Sequence, residues 1–293
     1  MFKRIALLGG ALFAGICSAT YDEGFAQKAV YYSEAAFCEK NDLNNWKCGR
    51  SCQMLPGVID VTRISNPTTG IFGYVAYNQQ TNMIVVSFRG SNNIDNWISN
   101  INFFMSPYKT IPGAQVHRGF YAAYLSVADQ VISAVKQLVL SYPSASFLYT
   151  GHSLGAALTT FAAVDVKEQL NPTGTVFIYT LGSPRTGNQA FTDHIMTHYP
   201  TGERFYRIVH ANDIVPHLPM TEFGFNHAGD EVWYPKPELD MTHQICRNEV
   251  GAKENSNCAD TLYSYDPHAH MQYVGIDLTA GWCGGSSEQT FLA

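Results

Sequence analysis

Ser153 stands in Gly151-His152-Ser153-Leu154-Gly155, between the apolar run 146–150 and the small-residue stretch 155–170. A serine on a sharp turn between strand and helix is held in a strained backbone conformation, and only glycine leaves room where the flanking segments close on one another. The turn lifts the hydroxyl clear of the sheet and sets it at a helix N-terminus, which favours developing negative charge. The residue types and their context therefore point to a nucleophilic serine rather than to an ordinary glycine turn.

A serine hydroxyl alone is a weak nucleophile. It needs a neutral histidine to take its proton and a carboxylate to fix that histidine's tautomer. Behind such a turn the chain order is Ser, Asp, His, each at the C-terminal end of a strand. Asp213 ends the β-rich run 204–213, and Pro216 and Pro219 stiffen the loop that follows. Of the ten histidines, five come after it. His217 is too close to Asp213, His227 precedes the strand "EVWYP" and suits a structural hydrogen bond, and His243 neighbours a cysteine-bounded segment. His268 and His270 remain, in "YDPHAHMQYVG". Two residues apart in extended chain, they point in opposite directions, so one of the two faces Ser153. His194 and His198, four apart on an expected helix, have a spacing that metal ligands share; without a third ligand they read as a solvated helix face.

These residues need elements to position them. Runs 70–78 and 82–90 read as strands joined by a tight polar turn. Residues 122–143 have helical spacing and stop at a proline. Strand 146–150, helix 155–170, strand 176–184 and strand 204–213 follow. Strand and helix alternating in this way predict an α/β fold with a mostly parallel sheet covered on both faces. In "SNNIDNWISNIN", Ile94, Trp97, Ile98 and Ile101 fall at i, i+3, i+4 and i+7 among Asn, Asp and Ser, which makes a short amphipathic helix.

The chain of 293 residues is long enough for one large domain, here 20–293. Its formal charge of -6, with no basic cluster, excludes an electrostatic nucleic-acid binder. Residues 1–19 read as a signal peptide: a basic start, an apolar run too short to span a membrane, and small residues before Thr20. No other stretch reads as a transmembrane segment. Beyond Cys17 six cysteines remain, Cys38, Cys48, Cys52, Cys246, Cys258 and Cys283. An even number in an exported chain implies disulfides, with 15 pairings open. Cys48 and Cys52 have no matching second pair that would make a zinc site. Proline excludes glycosylation at Asn66 and Asn171.

Seven ordered motifs, "VVSFRGSNNIDNWISNINF", "VHRGF", "TGHSLGAAL", "TLGSPRTGN", "HANDIVPHLP", "HAGDEVWY" and "HMQYVG", resemble the class 3 lipase family, the filamentous-fungal type of triacylglycerol lipase. The resemblance covers nearly the whole mature chain. It implies an α/β-hydrolase fold with a short helical lid, a catalytic set of Ser153, Asp213 and His270, and His268 only in reserve. It implies an oxyanion hole from Ser91 and the backbone N–H of Leu154, and a lid carrying Ile94, Trp97 and Ile98. It pairs Cys38 with Cys283 and Cys48 with Cys52, which leaves Cys246 and Cys258 to each other. Phe37 departs from the pattern, because relatives often carry Tyr there beside the substrate. The implied activity is hydrolysis of acylglycerol esters through an acyl-enzyme, with no metal or organic cofactor. The protein would be a secreted or lumenal monomer touching a lipid–water interface. Phospholipid sn-1 esters, galactolipids and feruloyl esters are alternative substrates for the same scaffold, and an inactive lipid-binding relative is a remote alternative.

Overall fold

The computed structural model describes residues 21–279 and Cys283, apart from 39, 92, 110, 200–203, 238, 239 and 263. The signal peptide expected at 1–19 lies outside the described residues. Eight strands build the main sheet: β1 (Val58–Asn66), β2 (Ile71–Asn78), β3 (Met83–Phe88), β4 (Ser146–His152), β5 (Val176–Leu181), β6 (Phe205–His210), β7 (Asp230–Tyr234) and β8 (Gln244–Cys246). They lie side by side in chain order. Strands β3 to β7 run parallel, whereas β1–β2–β3 form an antiparallel meander and β8 pairs antiparallel with β7. The sheet is thus parallel through its middle and antiparallel at both edges, where short connections replace helical crossovers.

Every residue of β3 is buried, as a strand covered on both faces requires. Alternate side chains enter opposite cores: Ile84, Val86 and Phe88 on one side, Met83 and Val85 on the other. Helix α1 (Glu23–Ala35) packs in the second core. Its start is capped by Asp22, whose carboxylate accepts the Phe25 N–H at 2.8 Å. Helix α2 (Ile94–Asn100) is the expected amphipathic segment. Helices α3 (Arg118–Leu125), α4 (Ala128–Ser141), α5 (Leu154–Leu170) and α6 (Gln189–His198) pack in the first core. The small side chains of α5 let it sink against the sheet, and it is buried continuously from Gly155 to Val166.

The single helix expected at 122–143 is two helices. Ser126 ends α3 by donating its hydroxyl to the Ala123 carbonyl at 2.7 Å, the local competition with helical bonding that serine offers. The first of the two starts earlier than its apolar spacing suggests, because the His117 ring caps it by accepting the Phe120 N–H at 3.1 Å.

Three disulfides form, Cys38–Cys283, Cys48–Cys52 and Cys246–Cys258. Among the described residues no helix is long and apolar enough to cross a membrane. Cys38–Cys283 spans 245 residues and Cys48–Cys52 only 4. On loop-closure entropy the long bridge stabilises by about 5 kcal/mol and the short one by about 2. Replacing Cys38 and Cys283 by serine should therefore lower the unfolding free energy in urea at least twice as much as replacing Cys48 and Cys52. Equal losses would contradict that order.

Candidate active site

Strand β4 ends at His152 and α5 begins at Leu154, so Ser153 alone makes the turn, at φ 59° and ψ -129°. For a residue with a Cβ this conformation costs about 1–3 kcal/mol and persists only where the surroundings impose it. Here they do. A Cβ on Gly151 would lie 2.5 Å from the Gly155 carbonyl oxygen, and one on Gly155 would strike the Phe88 carbonyl. The Ser153 N–H donates to the Leu181 carbonyl at 2.9 Å, tying the turn to β5. Ser153 is only 1% exposed, and its Oγ has no hydrogen-bond partner among the described residues.

Asp213 follows the end of β6, and His270 lies on a 3-10 turn, Pro267–Met271. Both are fully buried, and His270 Nδ1 lies 2.8 Å from Asp213 Oδ2. Asp213 Oδ2 also accepts the Tyr273 hydroxyl, and Oδ1 accepts the Val215 N–H at 2.9 Å. Burial alone would raise the Asp213 pKa. The charge of His270, then hydrogen bonds from His270, Tyr273 and Val215, outweigh it and hold the carboxyl below its ordinary value. An ionised Asp213 accepts a hydrogen bond from Nδ1–H and so keeps the proton on that nitrogen, which leaves Nε2 as the lone-pair nitrogen a general base needs. That Nε2 is buried and unpartnered among the described residues, like Ser153 Oγ.

Four further residues hold this set, and motif reasoning did not single them out. His152 Nε2 bonds the His270 carbonyl at 2.8 Å, and His210 Nδ1 bonds the Ala269 carbonyl at 3.0 Å, so two imidazoles fix the backbone that presents His270. Gly182 lies under the His270 ring: a Cβ there would come within 2.8 Å of Nδ1 and collide with the Tyr273 hydroxyl. Arg185 is buried and anchors the loop after Asp213 through the His217 carbonyl at 2.7 Å, while gripping Glu254 with two bonds of 2.9 and 3.0 Å. Both Gly182 and Arg185 sit in "TLGSPRTGN", a motif whose function the sequence left unassigned.

A cavity of about 220 Å³ opens on Ser153, with Phe37, Ser91, Ile94, His268 and Met271 in its wall. The Ser91 loop is close because Gly90 is: a Cβ on Gly90 would lie 3.0 Å from Ser153 Cβ. The Ser91 hydroxyl donates to the Asn93 carbonyl at 3.2 Å, and Asn93 caps α2 by accepting the Asn96 N–H. Within α2, Ile94 faces the cavity and Ile98 is half-buried. Trp97 instead stacks on Phe120 with centroids 5.9 Å apart, so it anchors the helix to the core rather than lining the cavity. Leu154, the first residue of α5, packs half-buried against the same core.

The other histidines divide clearly. The His268 N–H is taken by Asp266, and its ring belongs to the cavity wall, not to Asp213. His217 pairs with Asp260 at 2.8 Å. His227, buried, bonds the Pro216 carbonyl at 2.9 Å, the structural role its position suggests. His243 bonds the Met241 carbonyl at 3.2 Å. The reading of His194 and His198 as a solvated face without a third ligand needs correction, because the fold brings Glu168 of α5 beside them.

The sequence model of the family described as lipase (class 3) matches residues 85–223. A lipase of Rhizomucor miehei is 36% identical over 208 residues, covering 69% of this chain and 55% of that protein. Secreted mono- and diacylglycerol lipase 1 of Fusarium solani is 34% identical over 250 residues, covering 83% of this chain and 73% of that protein. The solved triacylglyceride lipase of Rhizomucor miehei superposes with a TM-score of 0.79 at 30% identity, covering 92% of this chain and 100% of that one. The chain spans a little over half the length of the curated Rhizomucor lipase.

The clamp has a pH signature. Burial, and next the charge of His270, push the His152 pKa down to about 3. In the unfolded chain it is about 6.5. Between those values the unfolded state binds the extra proton, so stability rises with pH, by up to about 1.4 kcal/mol per pH unit. His152→Gln removes that titration. Urea unfolding through this window should show a stability slope flatter by about one proton in the variant; an unchanged slope would refute the assignment.

Proposed function

For a chain that belongs to the class 3 lipase family, we propose that it is a secreted serine carboxylic-ester hydrolase that cleaves acylglycerols. The observation that carries this reading is the strained Ser153, its hydroxyl uncommitted, opening on a cavity beside a buried His270–Asp213–Tyr273 chain. Ser153 Oγ attacks the ester carbonyl as His270 Nε2 takes its proton. Asp213 stabilises the imidazolium. The carbonyl oxygen becomes an oxyanion facing the Leu154 N–H and Ser91, donors of the kind that contribute about 3 kcal/mol each. His270 returns the proton to the departing alcohol. Water, deprotonated by the same ring, then releases the fatty acid and restores Ser153.

Helix α2 is the lid of this reading. Ile94 closes over the cavity, and the Ser91 hydroxyl is held by the carbonyl of the lid's own cap, Asn93. Lifting α2 does two things at once: it exposes an apolar groove to acyl chains and frees Ser91 for the oxyanion. The cavity wall also carries Asp95, Gln272, Asp277 and Thr279. These polar groups suit the free hydroxyls of mono- and diacylglycerols, the class named for the Fusarium relative, and favour partial acylglycerols as a second substrate reading. Three disulfides and the leader-like residues 1–19 support export, and the enzyme acts as a monomer that docks transiently on lipid.

Kinetics on a dispersed acylglycerol test each role. Ser153→Ala and Asp213→Asn should each lower kcat by about 10⁴-fold or more. Tyr273→Phe should lower kcat about tenfold with KM unchanged, the effect of one hydrogen bond to a charged group. Activity of wild-type protein should jump as substrate passes its solubility limit. Full activity in Ser153→Ala would end the proposal, and smooth saturation below that limit would remove the lid from it.

A further inference from the structure

Glu168, near the C-terminal end of α5, meets His194 and His198 on one face of α6. One ligand atom from each lies within 4.8 Å of the others. Glu168 Oε1 is 2.7 Å from His194 Nε2, and the two imidazoles meet edge to face with centroids 4.9 Å apart. The ligands of a tetrahedral zinc stand about 3.4 Å from one another, so small side-chain rotations bring this set to coordinating distance.

Two details distinguish the cluster from a plain surface ion pair. A His194–Glu168 pair needs no second imidazole, yet His198 stands against it, and its Nε2 is buried without a hydrogen-bond partner among the described residues. The second detail is the division of the Glu168 carboxylate. Oε2 is taken by Lys109 at 2.5 Å and by the Tyr108 hydroxyl at 3.3 Å. That outer bonding turns Oε1 toward the imidazoles, as groups behind a metal-bound carboxylate do. Lys109 and Lys167 place positive charge nearby, and the carboxylates of Asp165 and Glu168 balance it; Asp165 also holds Lys109 at 2.5 Å.

We propose that Glu168, His194 and His198 form a divalent transition-metal site that pins α6 to α5. Two imidazoles and one carboxylate suit zinc and disfavour calcium or magnesium, which take oxygen ligands. Water completes the fourth position. Fourteen residues of helix separate Glu168 from Leu154, about 21 Å at 1.5 Å per residue, so the ion tightens the scaffold without touching the chemistry at Ser153. The site rests on none of the residues assigned to ester hydrolysis, and it stands or falls separately from that activity.

Calorimetric titration of chelator-treated full-length protein with Zn²⁺ near neutral pH tests this. One equivalent should bind, and His198→Gln, and separately Glu168→Gln, should weaken binding about tenfold or more. At a hundred times its Kd, Zn²⁺ should favour the folded over the unfolded state about a hundredfold in wild type and about tenfold or less in His198→Gln, seen as a Tm rise in the variant no more than about half that of wild type. Thermal unfolding of each variant without zinc verifies that it folds. Absence of binding to wild type, or one equivalent bound equally well by a His194→Gln/His198→Gln double variant, would overturn the proposal.

Discussion

The structure turns on a steric contact. Gly151 and Gly155 meet across the three residues between them, and Gly155 in turn seats against the Phe88 carbonyl. No side chain fits at either position, and the only path left for Ser153 is a left-handed backbone. The same contact joins three elements. It fixes α5 against β3 and β4, and it places the Gly90–Ser91 segment that leaves β3 directly beside the serine. Ser153 and Ser91, the proposed nucleophile and oxyanion donor, are neighbours because two strands and one helix approach more closely than a Cβ permits.

Opposite this contact the problem is electrostatic. A buried carboxylate is expensive unless it is paired and hydrogen-bonded. Asp213 is satisfied by His270, Tyr273 and the Val215 N–H, and the net effect is to keep it ionised. Everything around His270 serves that pairing. His152 and His210 hold its backbone, Gly182 leaves room for its ring, and Arg185 ties down the loop that follows Asp213. The Asp213–His270–Tyr273 side of the site is buried and hydrogen-bonded. The cavity side rests on a seven-residue helix held by Trp97 on Phe120 and by the Ser91–Asn93 bond. A buried proton-transfer side and a lightly held closure over the cavity is the division that the proposed interfacial hydrolysis would require.

Much of this was legible in the residues. The glycines flanking Ser153, the apolar strand before it and the small-residue helix after it announce the turn, because each reflects a local steric need. Strand β6 ending near Asp213 was readable for the same reason. The choice between His268 and His270 was not, since both lie on one loop, and a 3-10 turn rather than extended chain sets their directions. Nor was the break at Ser126, where a hydroxyl competes with the helix, or the clamp of His152 and His210, whose partners lie 118 and 59 residues away. Glu168 reached His194 and His198 only through the packing of two helices, which no spacing along the chain encodes.

Chemical labelling reads the reactivity of Ser153 directly. The protein would be incubated with a long-chain alkyl fluorophosphonate, which transfers its phosphonyl group to an activated serine with loss of fluoride, and the intact mass and labelled peptide would be determined. A single adduct is expected, on the peptide carrying Ser153, formed far more slowly in Asp213→Asn. No adduct, or an adduct on any other residue, would contradict it.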